Sequence, residues 1–294
     1  MDWTPGGMSG DVEDRRNEDG GGGGFSFGGG GGLGIVGVIV LLVISLITGR
    51  NYIGSYLAGT STQTQRAPVQ RGGPVQESAA EHTSAQLISF VLDDAQKTWT
   101  TILPEQTGKQ YRHAKLVLFR NSTQSACGGA RSATGPFYCP GDEKVYIDLS
   151  FWDELKRLGG DTGYFAQSYV IAHELGHHVQ KILGIEQKVS QLMESNPSQR
   201  NALSVRTELQ ADCFAGIWAH STEQRGIIHD ADVDEALKAA AAVGDDHIQK
   251  MQRGTVSPES FTHGSSAQRI GWFKRGLENG KVSDCNTFES SDAE

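Results

Sequence analysis

The stretch from Gly20 to Gly49 carries no charged side chain, and it constrains the architecture of this 294-residue chain more than any other feature. Its centre, Leu33–Ile47, is rich in leucine, isoleucine and valine and includes two glycines. A membrane-spanning helix needs about 20 mainly apolar residues, whereas a cleaved signal peptide has a basic start and a small-residue cleavage site. Here acidic residues precede the apolar stretch and an arginine follows it. We therefore predict an uncleaved transmembrane helix over 33–49, rather than a signal peptide or a buried core helix.

The segments on either side of this predicted span have different compositions. Many of the 38 glycines lie before or within the span, so 1–32 is predicted to be a disordered glycine-rich segment. Threonine, glutamine, serine, proline and glycine dominate 50–83, as is typical of a flexible linker. The remaining stretch, 84–290, has an ordinary composition and is long enough to form one domain with its own core.

The charge balance narrows the classes of partner. The net charge is −9, the pI is about 5.5 and no basic cluster stands out, which argues against nucleic-acid binding. A mean hydropathy of −0.38 excludes a protein with many membrane spans. The expected partners are therefore the lipid bilayer, through the single span, and a substrate of the folded domain.

The apolar periodicity after the linker predicts an α+β domain in which helices dominate a small sheet. Two strands are expected, followed mainly by helices that begin and end at polar or glycine residues. The predicted strands are Lys115–Arg120 and Lys144–Leu149, and the predicted helices are 84–101, Tyr164–Leu183, 201–219, 232–252 and 265–278.

The pentapeptide His173-Glu174-Leu175-Gly176-His177 carries the strongest chemical signal. On a helix, residues four apart lie on one face, so His173 and His177 can bind the same zinc ion through imidazole nitrogens. Glu174 then lies beside the metal, where it can take a proton from an activated water. A metzincin site would need glycine at 180 and histidine at 183, but these positions are Gln180 and Leu183.

A catalytic zinc normally has three protein ligands, so one more is needed. Glu208 and Asp212 are also four residues apart on a predicted helix, and both can face the first helix. Glu208 is expected to be the third ligand. Asp212 is expected to accept a hydrogen bond from a zinc-binding histidine and so to orient it.

These motifs, HELGHHVQ and ELQADCFAG, together with SFTHGSSAQR and a CGGA…GPFYCP loop, resemble those of the YpfJ-like neutral zinc metallopeptidases. The resemblance covers residues 1 to about 290, including the single span, and implies a zincin-like domain that binds one Zn²⁺ per chain. It implies His173, His177 and Glu208 as ligands, Glu174 as general base and Asp212 as a residue supporting the ligands. It does not supply a substrate.

His263 and Arg269 are further candidates for catalytic roles. The segment that contains them resembles the THP…R segments of membrane gluzincins, which suggests that His263 donates a hydrogen bond to the developing oxyanion with Arg269 nearby. The alternative is an ordinary capping or core role. His178 points about 100° away from His177 and is expected on the surface or behind the site. The remaining histidines considered are expected at the surface: His220, His229 and His247.

The four cysteines bear on the compartment. Cys127 and Cys139 bracket a glycine-rich loop and are expected to form one disulfide, and Cys213 and Cys285 a second. An even number of cysteines after a membrane span fits an oxidising compartment, with the N-terminus cytoplasmic and the catalytic domain periplasmic or otherwise extracytoplasmic. Four free thiols in a cytoplasmic domain are the alternative.

The sequence thus predicts a membrane-anchored zinc endopeptidase that hydrolyses peptide bonds in a peptide or protein substrate. One of the two strands, Val145–Leu149 by preference, is expected to form an edge that pairs with the extended substrate. Two alternatives stay open. One is an anchored binding or scaffold protein whose zinc is structural or inactive, and the other is a cytoplasm-facing protease of membrane quality control.

Overall fold

The computed structural model describes residues 1–18 and 75–289. The predicted span, 33–49, and most of the predicted linker lie outside these ranges. Within them, no helix combines the length and the apolar character that a membrane crossing requires. The described residues form a mostly helical α+β fold with a small sheet, which confirms the predicted class.

The sheet consists of four short strands: β1 (Val12–Asp14), β2 (Lys115–Phe119), β5 (Phe137–Cys139) and β6 (Lys144–Asp148). Their spatial order is β1-β2-β6-β5, with β1 and β6 parallel to β2 and β5 antiparallel to β6. The predicted strands correspond to β2 and β6, which lie inside the sheet. Strands β3 (Ser122–Ser125) and β4 (Gly128–Arg131) form a separate antiparallel hairpin.

Strand β1 corrects the prediction that 1–32 is disordered, at least for its first 18 residues. Val12 pairs with Leu116 and Asp14 with Leu118, so the N-terminal segment belongs to the same sheet as the later domain. The Glu13 carboxylate accepts a hydrogen bond from Lys144 Nζ at 2.6 Å. The partners of β1 lie more than 100 residues away in sequence, which is why local composition did not reveal it.

Helix α1 (Ala79–Thr107) extends beyond the predicted 84–101 at both ends. Ser78 and Glu81 form a capping box that fixes its start, and Gly108 closes its end in a left-handed conformation. The predicted linker therefore ends before 83. The first turn of α1 is mostly exposed and has no large apolar side chain, so hydrophobic periodicity missed it.

Seven more helices follow among the described residues, and the prediction missed two of them, Phe151–Arg157 and Ile185–Ser195, and merged two others. Predicted helix 232–252 is two helices, because Gly244 interrupts it where a Cβ would lie 2.5 Å from the Ser266 nitrogen. The helices are α2 (Phe151–Arg157), α3 (Tyr164–Leu183), α4 (Ile185–Ser195), α5 (Arg200–Gln224), α6 (Asp230–Ala242), α7 (Asp245–Arg253) and α8 (Ser266–Asn279).

Glycines allow helix α5 to lie close to both α3 and α8. A Cβ on Gly176 of α3 would lie 2.9 Å from the Ala211 carbonyl oxygen, and one on Gly276 of α8 would lie 2.0 Å from the Cys213 carbonyl oxygen. Since Ala211 and Cys213 flank Asp212, the two close approaches occur at the turn of α5 that carries the predicted site. The large buried side chains Phe165, Tyr169, Trp218 and Phe273 fill the adjoining core.

Candidate metal centre

Helices α3 and α5 bring three potential metal ligands together. His173 and His177 lie one turn apart on α3, and Glu208 faces them from α5. The Glu208 carboxylate oxygens lie 3.2 Å from His173 Nε2 and 3.6 Å from His177 Nε2. Ligand atoms of all three residues lie within 4.8 Å of one another, so the predicted set does converge.

The donors and their spacing fit zinc. With bonds of about 2.0–2.1 Å, two ligand atoms of a tetrahedral zinc lie about 3.3 Å apart, close to the two imidazole–carboxylate distances. Two imidazoles and one carboxylate form the donor set of hydrolytic zinc sites, which keep a fourth position for water or substrate. Residues His173, His177 and Glu208 therefore could hold the metal with little movement.

Asp212 holds His173 from behind. Its fully buried carboxylate lies 2.8 Å from His173 Nδ1, and this leaves Nε2 facing Glu208. Tyr169, one turn before His173 on α3, donates its hydroxyl hydrogen to the same carboxylate at 2.6 Å. The predicted role of Asp212 as an orienter matches this geometry, whereas the part played by Tyr169 was not anticipated. Its position four residues before His173 is the signal that could have revealed it.

Arg269 of α8 is the third partner of the buried Asp212 carboxylate, after His173 and Tyr169. Its Nε and Nη2 donate to the two Asp212 oxygens at 2.8 and 2.9 Å, and the side chain is almost entirely buried. Burial raises the pKa of Asp212, but Arg269 and His173 outweigh it and bring the pKa to about 2. Arg269 thus lies behind the candidate metal ligands, bound to Asp212.

In the absence of metal, the three candidate ligands shift one another's pKa values. Burial lowers the pKa of His173, but Asp212 and then Glu208 outweigh it and raise the pKa to about 10. Burial opposes ionisation of Glu208 as well, yet His177 and His173 hold its pKa well below the ordinary value. Without metal, these interactions therefore favour the doubly protonated, cationic form of His173 at neutral pH.

Glu174 follows His173 directly on α3 and is also buried, with 7% of its surface exposed. Burial raises the pKa of its carboxyl group, and the neighbouring His173 and His177 oppose that rise only in part. A carboxylate with a raised pKa beside a metal site is suited to taking up a proton and giving it back.

His263 lies on the loop before α8 and is held by Asp245, the first residue of α7. The Asp245 carboxylate lies 3.2 Å from His263 Nδ1 and accepts backbone N–H groups of Thr262 and His263, each at 2.6 Å. Burial lowers the pKa of His263, but the bond to Asp245 and the charge of Glu208 outweigh it and raise the pKa. Sequence reasoning missed Asp245, because nothing local links it to position 263.

The other histidines lie apart from the candidate metal ligands in the described ranges. His178 is fully buried rather than at the surface, with Nδ1 2.9 Å from the Tyr138 hydroxyl and Nε2 2.7 Å from the Arg112 carbonyl oxygen. His220 and His247 are half-buried and bind backbone carbonyls, and His229 is exposed at the start of α6.

Both predicted disulfides are present. Cys127 pairs with Cys139 and Cys213 with Cys285, with Cα–Cα distances of 5.8 and 5.6 Å. The first closes a loop that begins between β3 and β4, includes β4 and ends at the last residue of β5. The second joins α5, one residue after Asp212, to the C-terminal turn Val282–Cys285.

Comparison with known proteins agrees with this site. A family model described as "Putative neutral zinc metallopeptidase" matches residues 1–288. The chain belongs to this family. It is 47% identical to the uncharacterized protein YpfJ of Escherichia coli (strain K12) over 295 residues, which cover 99% of this chain and 100% of YpfJ.

More distant relatives come from mycobacteria. The uncharacterized proteins Mb2605 of Mycobacterium bovis and Rv2575 of Mycobacterium tuberculosis (strain H37Rv) are each 42% identical over 205 residues, which cover 66% of this chain and 67% of each relative. No solved structure shows a significant match. The family resemblance predicted from HELGHHVQ and the accompanying motifs is thus confirmed, and the match includes the residues of β1.

The raised pKa of His173 predicts how zinc affinity depends on pH. Because the pKa of His173 is about 10 without metal, zinc must displace its proton at neutral pH. Affinity should therefore rise from pH 6 to 9 by up to about tenfold per unit for each proton displaced. In Asp212→Asn the histidine loses its main charged partner, so we expect a flatter pH dependence. Chelator competition at several pH values measures both slopes, and pH-independent affinity of the unmodified protein would contradict the prediction.

Proposed function

We propose that this protein is a zinc-dependent peptidase that hydrolyses peptide bonds with Glu174 as general base. The observation that carries the proposal is the convergence of His173, His177 and Glu208 at zinc-ligand spacing, with the Glu174 carboxylate adjacent in the same buried turn. A structural zinc site is usually closed by four protein ligands, often cysteines. Here the described cluster offers three ligands, and all four cysteines are in disulfides.

The residues around the site suggest the proton path. Zinc, when bound, supplies a Lewis acid that lowers the pKa of water towards about 7 and polarises a carbonyl. Glu174 takes the proton of the attacking water and delivers it to the leaving amine, a task for which its raised pKa suits it. His173 stays correctly oriented throughout, because Asp212 holds its other nitrogen.

His263 is proposed to stabilise the oxyanion that develops on the scissile carbonyl. Its loop packs against α5 beside the metal ligand, since a Cβ on Gly264 would lie 3.2 Å from Leu209 and 3.3 Å from Val205. Asp245 favours the protonated imidazole, which can donate a hydrogen bond. Arg269, predicted together with His263, supports Asp212 instead, so we propose it as a positioning residue.

The strand that could bind an extended substrate is β5. The sequence prediction placed this edge on one of the strands Lys115–Arg120 or Val145–Leu149, but both lie inside the sheet. β6 pairs with β2 on one side and with β5 on the other. β5 is the outer strand of the described sheet at this end, and it contacts α3 through the Tyr138 hydroxyl and His178. We therefore propose that a peptide substrate pairs with β5.

Replacement of Glu174 tests the catalytic proposal. Glu174→Gln removes the base but none of the zinc ligands, so zinc content should remain near one equivalent while peptide hydrolysis falls by at least about 10³-fold. Zinc content by atomic emission and hydrolysis of a peptide library measure the two effects. If both proteins bind zinc and neither cleaves, the alternative of a binding or scaffold protein is supported.

Replacement of His263 tests the oxyanion role separately. An oxyanion donor contributes about 10²–10³ in kcat, so His263→Ala should lower kcat by that factor with a smaller effect on KM. Steady-state kinetics on any cleaved peptide give both values. A decrease in kcat of less than about threefold would remove His263 from the mechanism.

We further propose that the predicted span 33–49 attaches the protein to a membrane and that the domain is extracytoplasmic, as the two disulfides support. The sheet adds a constraint. Because β1 pairs with β2, residues 1–18 and 75–289 belong to one folded unit and cannot lie on opposite sides of a bilayer. A single crossing by 33–49, with a cytoplasmic N-terminus and an extracytoplasmic domain, does not fit this pairing, so we propose that 33–49 attaches the protein to the membrane without crossing it.

Cysteine labelling tests this topology. Thr4 and Glu105 are exposed positions in the N-terminal segment and in α1. In single variants Thr4→Cys and Glu105→Cys, a membrane-impermeant maleimide should label both from the same side of intact cells. Labelling of Glu105→Cys alone from outside would show that β1 is not paired with β2 in the membrane-attached protein.

A further inference from the structure

The second zinc-binding histidine is held by a different kind of partner from the first. His177 Nδ1 lies 2.9 Å from the side-chain oxygen of Gln180, which is on the same helix and is 1% exposed. An amide oxygen only accepts hydrogen bonds, so Nδ1 carries the hydrogen and Nε2 keeps its lone pair for the metal.

The orientation of the Gln180 amide is fixed by its other partners. Its nitrogen donates to the Thr207 carbonyl oxygen at 2.7 Å and to the side-chain oxygen of Gln210 at 3.0 Å. The reversed amide would place its oxygen against two acceptors and its nitrogen against the histidine. The hydrogen bonds therefore allow one orientation, the one in which Gln180 accepts from His177.

Gln210 extends this series of hydrogen bonds to the C-terminal segment. It is 4% exposed, and its side-chain nitrogen donates to the Cys285 carbonyl oxygen at 2.9 Å. Cys285 is itself fully buried and is joined to Cys213 of α5 by a disulfide. Hydrogen bonds thus run in one sense from His177 through Gln180 and Gln210 to a backbone carbonyl held by the disulfide.

We propose that Gln180 and Gln210 are positioning residues that fix the tautomer and orientation of His177, and that the Cys213–Cys285 disulfide strengthens zinc binding by holding the end of this series of hydrogen bonds. The inference rests on the proposed zinc site and extends it to residues that do not touch the metal. A buried amide left without a hydrogen-bond partner is unfavourable, so losing one hydrogen bond of the series favours rearrangement of the next side chain.

The zinc affinity of near-isosteric variants tests the positioning roles of Gln180 and Gln210. Gln180→Met keeps the volume of the side chain but removes its hydrogen bonds, and we expect zinc affinity to fall by about 10–100-fold. Gln210→Met should cause a smaller fall, and Gln191→Met, at an exposed position of α4, should cause none. Chelator competition on the full chain gives the affinities, and the cobalt-substituted protein gives an absorption spectrum that reports the geometry of the ligands.

A double-mutant cycle tests the part played by the disulfide. Cys213→Ser/Cys285→Ser should weaken zinc binding in the natural sequence but have little further effect in Gln210→Met, because that variant has already lost the connection. Cys127→Ser/Cys139→Ser removes the other disulfide and should leave zinc affinity unchanged. The thermal midpoint of each metal-free variant separates general destabilisation from a specific loss of affinity.

Two results would overturn the inference. One is unchanged zinc affinity and an unchanged cobalt spectrum in Gln180→Met. The other is an equal loss of affinity on removing the Cys213–Cys285 disulfide with and without Gln210. If Gln180→Met does not fold, Gln180→Glu replaces it: this side chain still accepts from His177 Nδ1 but cannot donate to Gln210. Since these measurements need no peptide hydrolysis, the inference can succeed where the peptidase proposal fails.

Discussion

The buried carboxylate of Asp212 is the interaction on which the candidate site depends. It lies 2.8 Å from a nitrogen of His173 and accepts hydrogen bonds from Tyr169 and Arg269, so one side chain of α5 joins α3 and α8. Full burial makes an unpaired carboxylate costly, and the three partners offset that cost. Glycines at 176 and 276 bring the helix backbones close enough for these contacts to form.

The two histidines of the candidate zinc site are supported in contrasting ways. His173 faces a charged partner, Asp212, which favours the protonated imidazole when no metal is present. His177 faces the neutral amide of Gln180, which fixes its tautomer without adding a charge. The C-terminal segment contributes to both supports, through Arg269 of α8 for the first and through Cys285 for the second. Residues of α8 and of the turn Val282–Cys285 therefore support the candidate site.

The sequence revealed those parts of the fold and site that depend on short-range spacing. The i, i+4 pairs His173/His177 and Glu208/Asp212 follow from helical geometry, and the loop between Cys127 and Cys139 is short enough to suggest a disulfide. Features that pair distant segments were missed. β1 docks on β2 across about 100 residues, Asp245 reaches His263 from another helix, and Gln210 is linked to Cys285 only through the tertiary fold.

The edge of the sheet was mispredicted for a related reason. The five-residue strands β2 and β6 give the clearest sequence patterns because they are buried on both faces, and buried strands lie inside a sheet. The outer strand β5 spans Phe137–Cys139 and is too short to show alternation. The strand most easily found in the sequence is thus the one least available to a substrate.

The measurement that tests the central claim most directly is X-ray absorption at the zinc edge of the zinc-loaded protein, compared with Glu208→Gln. The account predicts one zinc with two imidazole nitrogens and carboxylate oxygen at about 2.0–2.2 Å, plus an oxygen that exchanges with solvent. In the variant, the carboxylate contribution should be lost and the two imidazoles kept. A zinc closed by four protein ligands, or a spectrum unchanged by Glu208→Gln, would contradict it.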